Sequence, residues 1–62
     1  MRYTYKTARM LNAGDVIKWN SGYFDTVERV EEDKLGDIRA RFNDDTLVIS
    51  FNPEDTIRIV KL

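Results

Sequence analysis

Asp37-Ile38-Arg39-Ala40-Arg41-Phe42-Asn43-Asp44-Asp45-Thr46-Leu47-Val48-Ile49-Ser50-Phe51 reads as two strands and the turn that joins them. Ile38, Ala40 and Phe42 alternate with Arg39 and Arg41, so an extended segment has one apolar side and one cationic side. Leu47, Ile49 and Phe51 repeat that period. Asn43-Asp44-Asp45 lies between them, and such side chains bond their own backbone and tolerate left-handed conformations. The span 37–51 is therefore predicted as a β-hairpin with one covered face.

The same pattern continues on both sides. Thr56 to Lys61 is a final strand, with Ile57 and Ile59 on one face and Arg58 and Val60 on the other. Before it, Pro53 suits the first position of a single helical turn capped by Asn52, with Glu54 and Asp55 near its positive end. Upstream, Tyr23 to Glu31 is predicted as one longer strand. Its core residues Val27 and Val30 are three apart, so a β-bulge between them is needed to return both to the interior. Val16 to Trp19 is a strand broken by Asn20-Ser21-Gly22. Residues 2–6 alternate, placing Tyr3 and Tyr5 on one face. These two are read as core residues at one end of the fold, with a homodimer contact as the other use. Residues 7–14 are predicted as a loop that buries Leu11, in preference to a short helix capped by Thr7. Glu31 to Gly36 is a charged connection. The chain, residues 1–62, is one all-β domain: a small barrel of five to six short antiparallel strands with one helical turn near Pro53.

Composition narrows the chemistry. A domain of 62 residues buries only about 60% of the surface its unfolded chain exposes. There is no Cys and no His, so disulfides, zinc fingers, thiol nucleophiles and Ser-His-Asp triads are excluded. The acids fall mainly in turns and on outer faces, and no nucleophile has a plausible base. The chain is therefore expected not to be an enzyme and to need no cofactor or metal; no D-x-D-x-D-G calcium loop is present. The start lacks the apolar stretch of a signal peptide, and no apolar run reaches membrane-spanning length. A soluble, cytoplasmic protein without membrane association is expected. Net charge is −1, from ten basic and eleven acidic residues, which argues against strong non-specific DNA binding. Residues 1–20 sum to +3 and residues 21–62 to −4.

Leu11-Asn12-Ala13-Gly14-Asp15-Val16-Ile17 resembles the L-x-x-G-D-hydrophobic-hydrophobic opening of SH3-like barrels. Thr26 to Val30, the Gly36 turn, the strand to Phe42 and the Pro53-Glu54-Asp55 turn before Ile57 follow in the same order. The resemblance covers about residues 8–61. It is to KOW-type modules of transcription and translation proteins, and to short phage-type accessory proteins. It implies a binding module. KOW modules carry a glycine-rich basic segment where this chain has Tyr23-Phe24-Asp25-Thr26-Val27-Glu28, which is acidic.

Two sets of residues are candidate partner contacts. Trp19, Tyr23 and Phe24 lie in an aromatic segment of the kind that supplies rigid contact area, although Trp19 and Phe24 also suit a small core. Arg39 and Arg41, with Arg29 and Arg58, suit a phosphate or carboxylate patch, or a solvated face with cross-strand ion pairs. The acidic set Glu31, Glu32, Asp33, Asp37, Asp44 and Asp45 is read as solubility and edge protection. The leading expectation is a protein–protein interaction or regulatory accessory module, monomeric or homodimeric. The alternative is KOW-like nucleic-acid binding through Lys18, Arg29, Arg39, Arg41 and Arg58.

Overall fold

The structure is a computed structural model and describes residues 2–61. Seven strands follow in chain order: β1 Arg2–Thr7, β2 Val16–Lys18, β3 Phe24–Thr26, β4 Arg29–Glu32, β5 Ile38–Phe42, β6 Leu47–Phe51 and β7 Thr56–Lys61. They form two antiparallel sheets, a four-stranded one in the order β1-β7-β2-β3 and a three-stranded meander β4-β5-β6. All observed pairings are antiparallel. No helix among the described residues is long and apolar enough to cross a membrane.

The 37–51 hairpin forms in the expected register, with Ile38 opposite Phe51, Ala40 opposite Ile49 and Phe42 opposite Leu47. Its turn uses Asn43, Asp44 and Asp45 at φ of 52°, 56° and 66°. Thr46 N–H donates to the Asn43 carbonyl at 3.1 Å. Positive φ at both central residues gives the type I′ sense that matches strand twist. The turn is also held from outside: Asp44 N–H donates to Glu28 Oε1.

The segment expected as one long strand is two. β3 belongs to the four-stranded sheet and β4 to the meander, with Val27 and Glu28 forming the corner between them. Val27 exchanges bonds with the first sheet: its N–H donates to the Asp15 carbonyl at 2.8 Å, and its carbonyl accepts from Gly14 N–H at 2.7 Å. Glu28 N–H then donates to the Arg41 carbonyl at 2.8 Å. The corner does what the bulge was needed for. Val27 is buried, and Val30 packs against the core from the second sheet. Strands commonly change sheets through such bends.

Two local expectations are corrected. Residues 52–55 form a β-turn, not a helical turn: Asp55 N–H donates to the Asn52 carbonyl at 2.9 Å. Asn52 Oδ1 accepts from Glu54 N–H, so the capping chemistry is present, but Thr56 enters β7 before a helix can propagate. The helical turn is instead a 3₁₀ turn at Ala8–Met10, inside the predicted loop. Ala8 and Arg9 donate to the carbonyls of Asp55 and Pro53, which docks this turn on the 52–55 turn. Leu11 is buried as expected.

The core consists of Ala8, Leu11, Ile17, Val27, Ile38, Ala40, Phe42, Ile57 and Ile59, with Trp19, Leu47, Ile49 and Phe51 packed around it. No polar or charged side chain among the described residues is buried in it. Phe42 is fully buried and meets Trp19 edge-on at 6.1 Å, while Phe51 stacks on Trp19 at 6.2 Å. Removing a buried phenyl costs about 3–5 kcal/mol. The whole stability of a domain this size is about 0.05–0.15 kcal/mol per residue. Phe42→Ala is therefore expected to remove about a third or more of the stability and to move the urea midpoint at 25 °C sharply downward. Asp44→Gly relieves a left-handed residue whose side chain holds no described partner, and is expected to raise unfolding stability by about 0.5–1 kcal/mol.

Candidate binding site

Each sheet turns one face to the core and one away, so two outer faces are available. They are chemically different because the chain segments that build them differ. Residues 2–26 and 52–61 make the four-stranded sheet and carry six bases and four acids. Residues 27–51 make the corner and meander, with four bases and seven acids. The charge asymmetry along the chain thus survives folding.

The meander's outer face is neutralised. Arg29 lies directly opposite Arg41, and Arg39 opposite Glu31. Glu31 Oε1 accepts from Arg41 Nε at 2.7 Å and sits 3.4 Å from Arg29 Nε. Asp45 is 3.5 Å from Arg29, and Asp33 is 4.0 Å from Arg39. One carboxylate between two arginines relieves the repulsion their register imposes. The hydrogen bond from Arg41, then its charge, lowers the Glu31 carboxyl below its ordinary value of 4.5, and the same bond raises Arg41. Other acids hold turns or side chains. Asp33 Oδ1 accepts from the backbone N–H of Leu35 and Asp37, and Asp25 accepts from Trp19 Nε1 at 2.6 Å. Asp15 accepts from Lys6 Nζ and Asn12 N–H. The described residues contain no group of three or more acids placed to hold a metal ion.

The outer face of the four-stranded sheet is different. Residues directly opposite in an antiparallel pair share a face. Tyr5 lies opposite Arg58, Tyr3 opposite Val60, and Lys18 opposite Phe24. Tyr3, Tyr5 and Phe24 are exposed, at 37%, 63% and 43%. Lys18 Nζ sits 4.4 Å above the Phe24 ring, and the Arg58 guanidinium is 5.7 Å from the Tyr3 ring centroid. Lys18 reaches the Gly22 carbonyl, and Arg58 reaches Asn20 Oδ1 at 3.5 Å. Neither meets a carboxylate among the described residues. Arg58 Nε is buried with no acceptor there.

The structure therefore divides the residues singled out by sequence. Arg29, Arg39 and Arg41 come together but are paired. Arg58 lies on the other sheet, with Lys18. Trp19 turns inward, whereas Phe24 turns outward, and Tyr23, 74% exposed, stands at the tip of the β2–β3 hairpin. That tip closes through Trp19 N–H to the Tyr23 carbonyl and Gly22 N–H to the Trp19 carbonyl, with Gly22 at φ 97°. Tyr3 and Tyr5, expected in the core, are on the surface. β1 meets β7 in a register that sets the tyrosines beside Arg58 and Val60, while Thr4 and Lys6 face Ile59 and Ile57.

Beside this face a groove of about 380 Å³ opens where β2 and β7 part. The two strands share one paired position, Ile17 with Ile59. Beyond it β2 bends into its hairpin, leaving Lys18, Trp19, Phe51, Ile57 and Arg58 around a gap. Comparison with protein-family models, with characterised proteins and with solved structures gives no match.

Glu31 supplies a pH test of the neutralised face. Its folded pKa is depressed, so its contribution to stability is present above 4.5 and is lost as pH falls through the folded value. Carbon-detected NMR titration is expected to place the Glu31 midpoint below 4.5 in the parent protein, and Arg41→Gln is expected to move it back up toward that value.

Proposed function

We propose that the chain is a non-enzymatic binding module on an SH3-like β fold, and that it takes a protein partner on the outer face of its four-stranded sheet. The strand order supports the fold reading. β2, the bent β3–β4 ribbon, the β4-β5-β6 meander and a return strand β7 beside β2 follow the SH3-like order. β1 is an added strand on the far side of β7.

One observation carries the functional reading: Lys18 and Arg58, which have no carboxylate partner among the described residues, share a face with three exposed aromatic rings. Aromatic rings and arginine are the residue types that dominate binding energy at protein interfaces, the rings because they give large contact area at low entropic cost and arginine because its planar fork makes directed, charge-assisted bonds. The meander offers no such combination, since its arginines are bound to its own acids. A KOW-like use of all four arginines would need them on one surface, and they are divided between two.

The test compares the two faces. Tyr5→Ser/Phe24→Ser alters exposed rings, and Arg39→Gln/Arg41→Gln alters the paired cations. Captured partners are quantified by mass spectrometry after cross-linking in cell extract. The aromatic variant is expected to lose its specific partner by about tenfold or more, and the meander variant to retain it. Loss confined to the meander variant would move the site to the other sheet.

A further inference from the structure

We infer that the groove between β2 and β7 is a site for a carboxylate carried on an acidic peptide segment, gripped by Arg58 with Lys18 beside it. This rests on the reading of the four-stranded face as the protein-binding surface and names the chemistry of its partner.

Arg58 is under-partnered for its charge among the described residues. A guanidinium carries five N–H donors. Here one is buried without an acceptor, and the described partners amount to one 3.5 Å contact to an amide oxygen and a tyrosine ring. Nε has no surface for a ligand to reach, so its burial marks a partly desolvated guanidinium, and the terminal N–H groups are the ones a carboxylate in the groove can bond; partial desolvation strengthens such a charge-assisted bond. Lys18 is the second cation lining the groove. It follows Ile17 as Arg58 precedes Ile59 across the single β2–β7 pair, so two cations border one gap. Like charges so placed destabilise a sheet, and an anion between them reverses the sign.

Asp55, the one acid lining the groove among the described residues, is engaged in its own turn, where Oδ2 accepts from Asn52 N–H at 3.0 Å. Of the remaining lining, Trp19, Phe51, Ile17 and Ile57 are apolar and suit the methylene stem of a glutamate, while Tyr5, Asn20 and Thr56 add uncharged polar groups. The volume fits one or two side chains and lies at the small end of ligand sites. A nucleic-acid strand presents a phosphate at every step and is held by a track of cations. Two cations on a chain of net charge −1 match isolated carboxylates better.

The experiment is a two-dimensional amide NMR titration of the full chain at low ionic strength. The probes are a capped hexaglutamate peptide, a capped hexaglutamine peptide and a short oligothymidylate. Hexaglutamate is expected to shift the amides of residues 17–20 and 56–58, and hexaglutamine to leave them in place. Arg58→Gln is expected to weaken hexaglutamate binding about tenfold or more. Arg58→Lys, which keeps the charge but loses the planar fork, is expected to fall between. Arg39→Gln is expected to bind as the parent does. Should Arg58→Gln lose its dispersed spectrum, Arg58→Lys and Lys18→Gln carry the test, each with weakened binding in a folded protein. Equal affinity in folded Arg58 and Lys18 variants overturns the proposal, as does equal binding of hexaglutamine. Groove shifts with oligothymidylate but not with hexaglutamate overturn it in favour of nucleic acid. If hexaglutamate fails while Tyr5→Ser/Phe24→Ser still loses its protein partner, the carboxylate assignment falls and the binding face stands.

Discussion

Val27 and Glu28 hold the two sheets to one another, and the rest of the structure depends on that junction. Val27 gives both backbone groups to the Gly14–Asp15 turn, and Glu28 gives its N–H to Arg41. The Val27 side chain fills the core between the sheets, and the Glu28 carboxylate holds the far hairpin tip through Asp44. A short chain without disulfides must bring its sheets together by packing alone. Here two adjacent residues supply an apolar anchor, a change of direction and a bond to each sheet.

Much of this was legible in the residues, and the failures share a cause. Ile38, Ala40, Phe42, Ile57 and Ile59 alternate with charged or polar neighbours, so period two identified their inward face correctly. The Val27/Val30 spacing signalled a bulge within one strand, but the sheet change found there depends on pairing with Asp15 and Arg41, partners remote in sequence. Tyr3 and Tyr5 misled because tyrosine is apolar in body and polar at its tip, and alternation alone cannot say which side of a strand is covered. The register against β7 decided it. The turn at Pro53 had the right capping residue in Asn52, yet a cap cannot extend a helix that a strand interrupts one residue later.

The candidate site was legible in part for the same reason. Arg58 and Lys18 were named from the sequence, but so were Arg29, Arg39 and Arg41, and composition does not distinguish a paired arginine from a free one. The distinction is made by Glu31, Asp33 and Asp45, which fold onto the meander's outer face. Their effect is to leave one sheet satisfied internally. The opposite sheet places its acids at the margins, on Lys6, Trp19 and the two turns, so its cations meet aromatic rings and solvent. A near-neutral chain thereby presents one surface whose charges are paired internally and one whose cations meet aromatic rings.

The strand order has a kinetic meaning. β7 is the last strand in the sequence yet sits inside its sheet, bonded to β1 on one side and β2 on the other. The meander joins neighbours and needs only short loop closures, whereas β1 meets β7 across nearly the whole length of the chain. Sequence-distant pairing is slow because the entropy of closure is lost before contacts repay it. The acidic meander can therefore assemble early, and the cationic face comes into being only with the final strand. Arg58 lies on that strand, so the groove it lines is absent from every partly folded form that lacks β7.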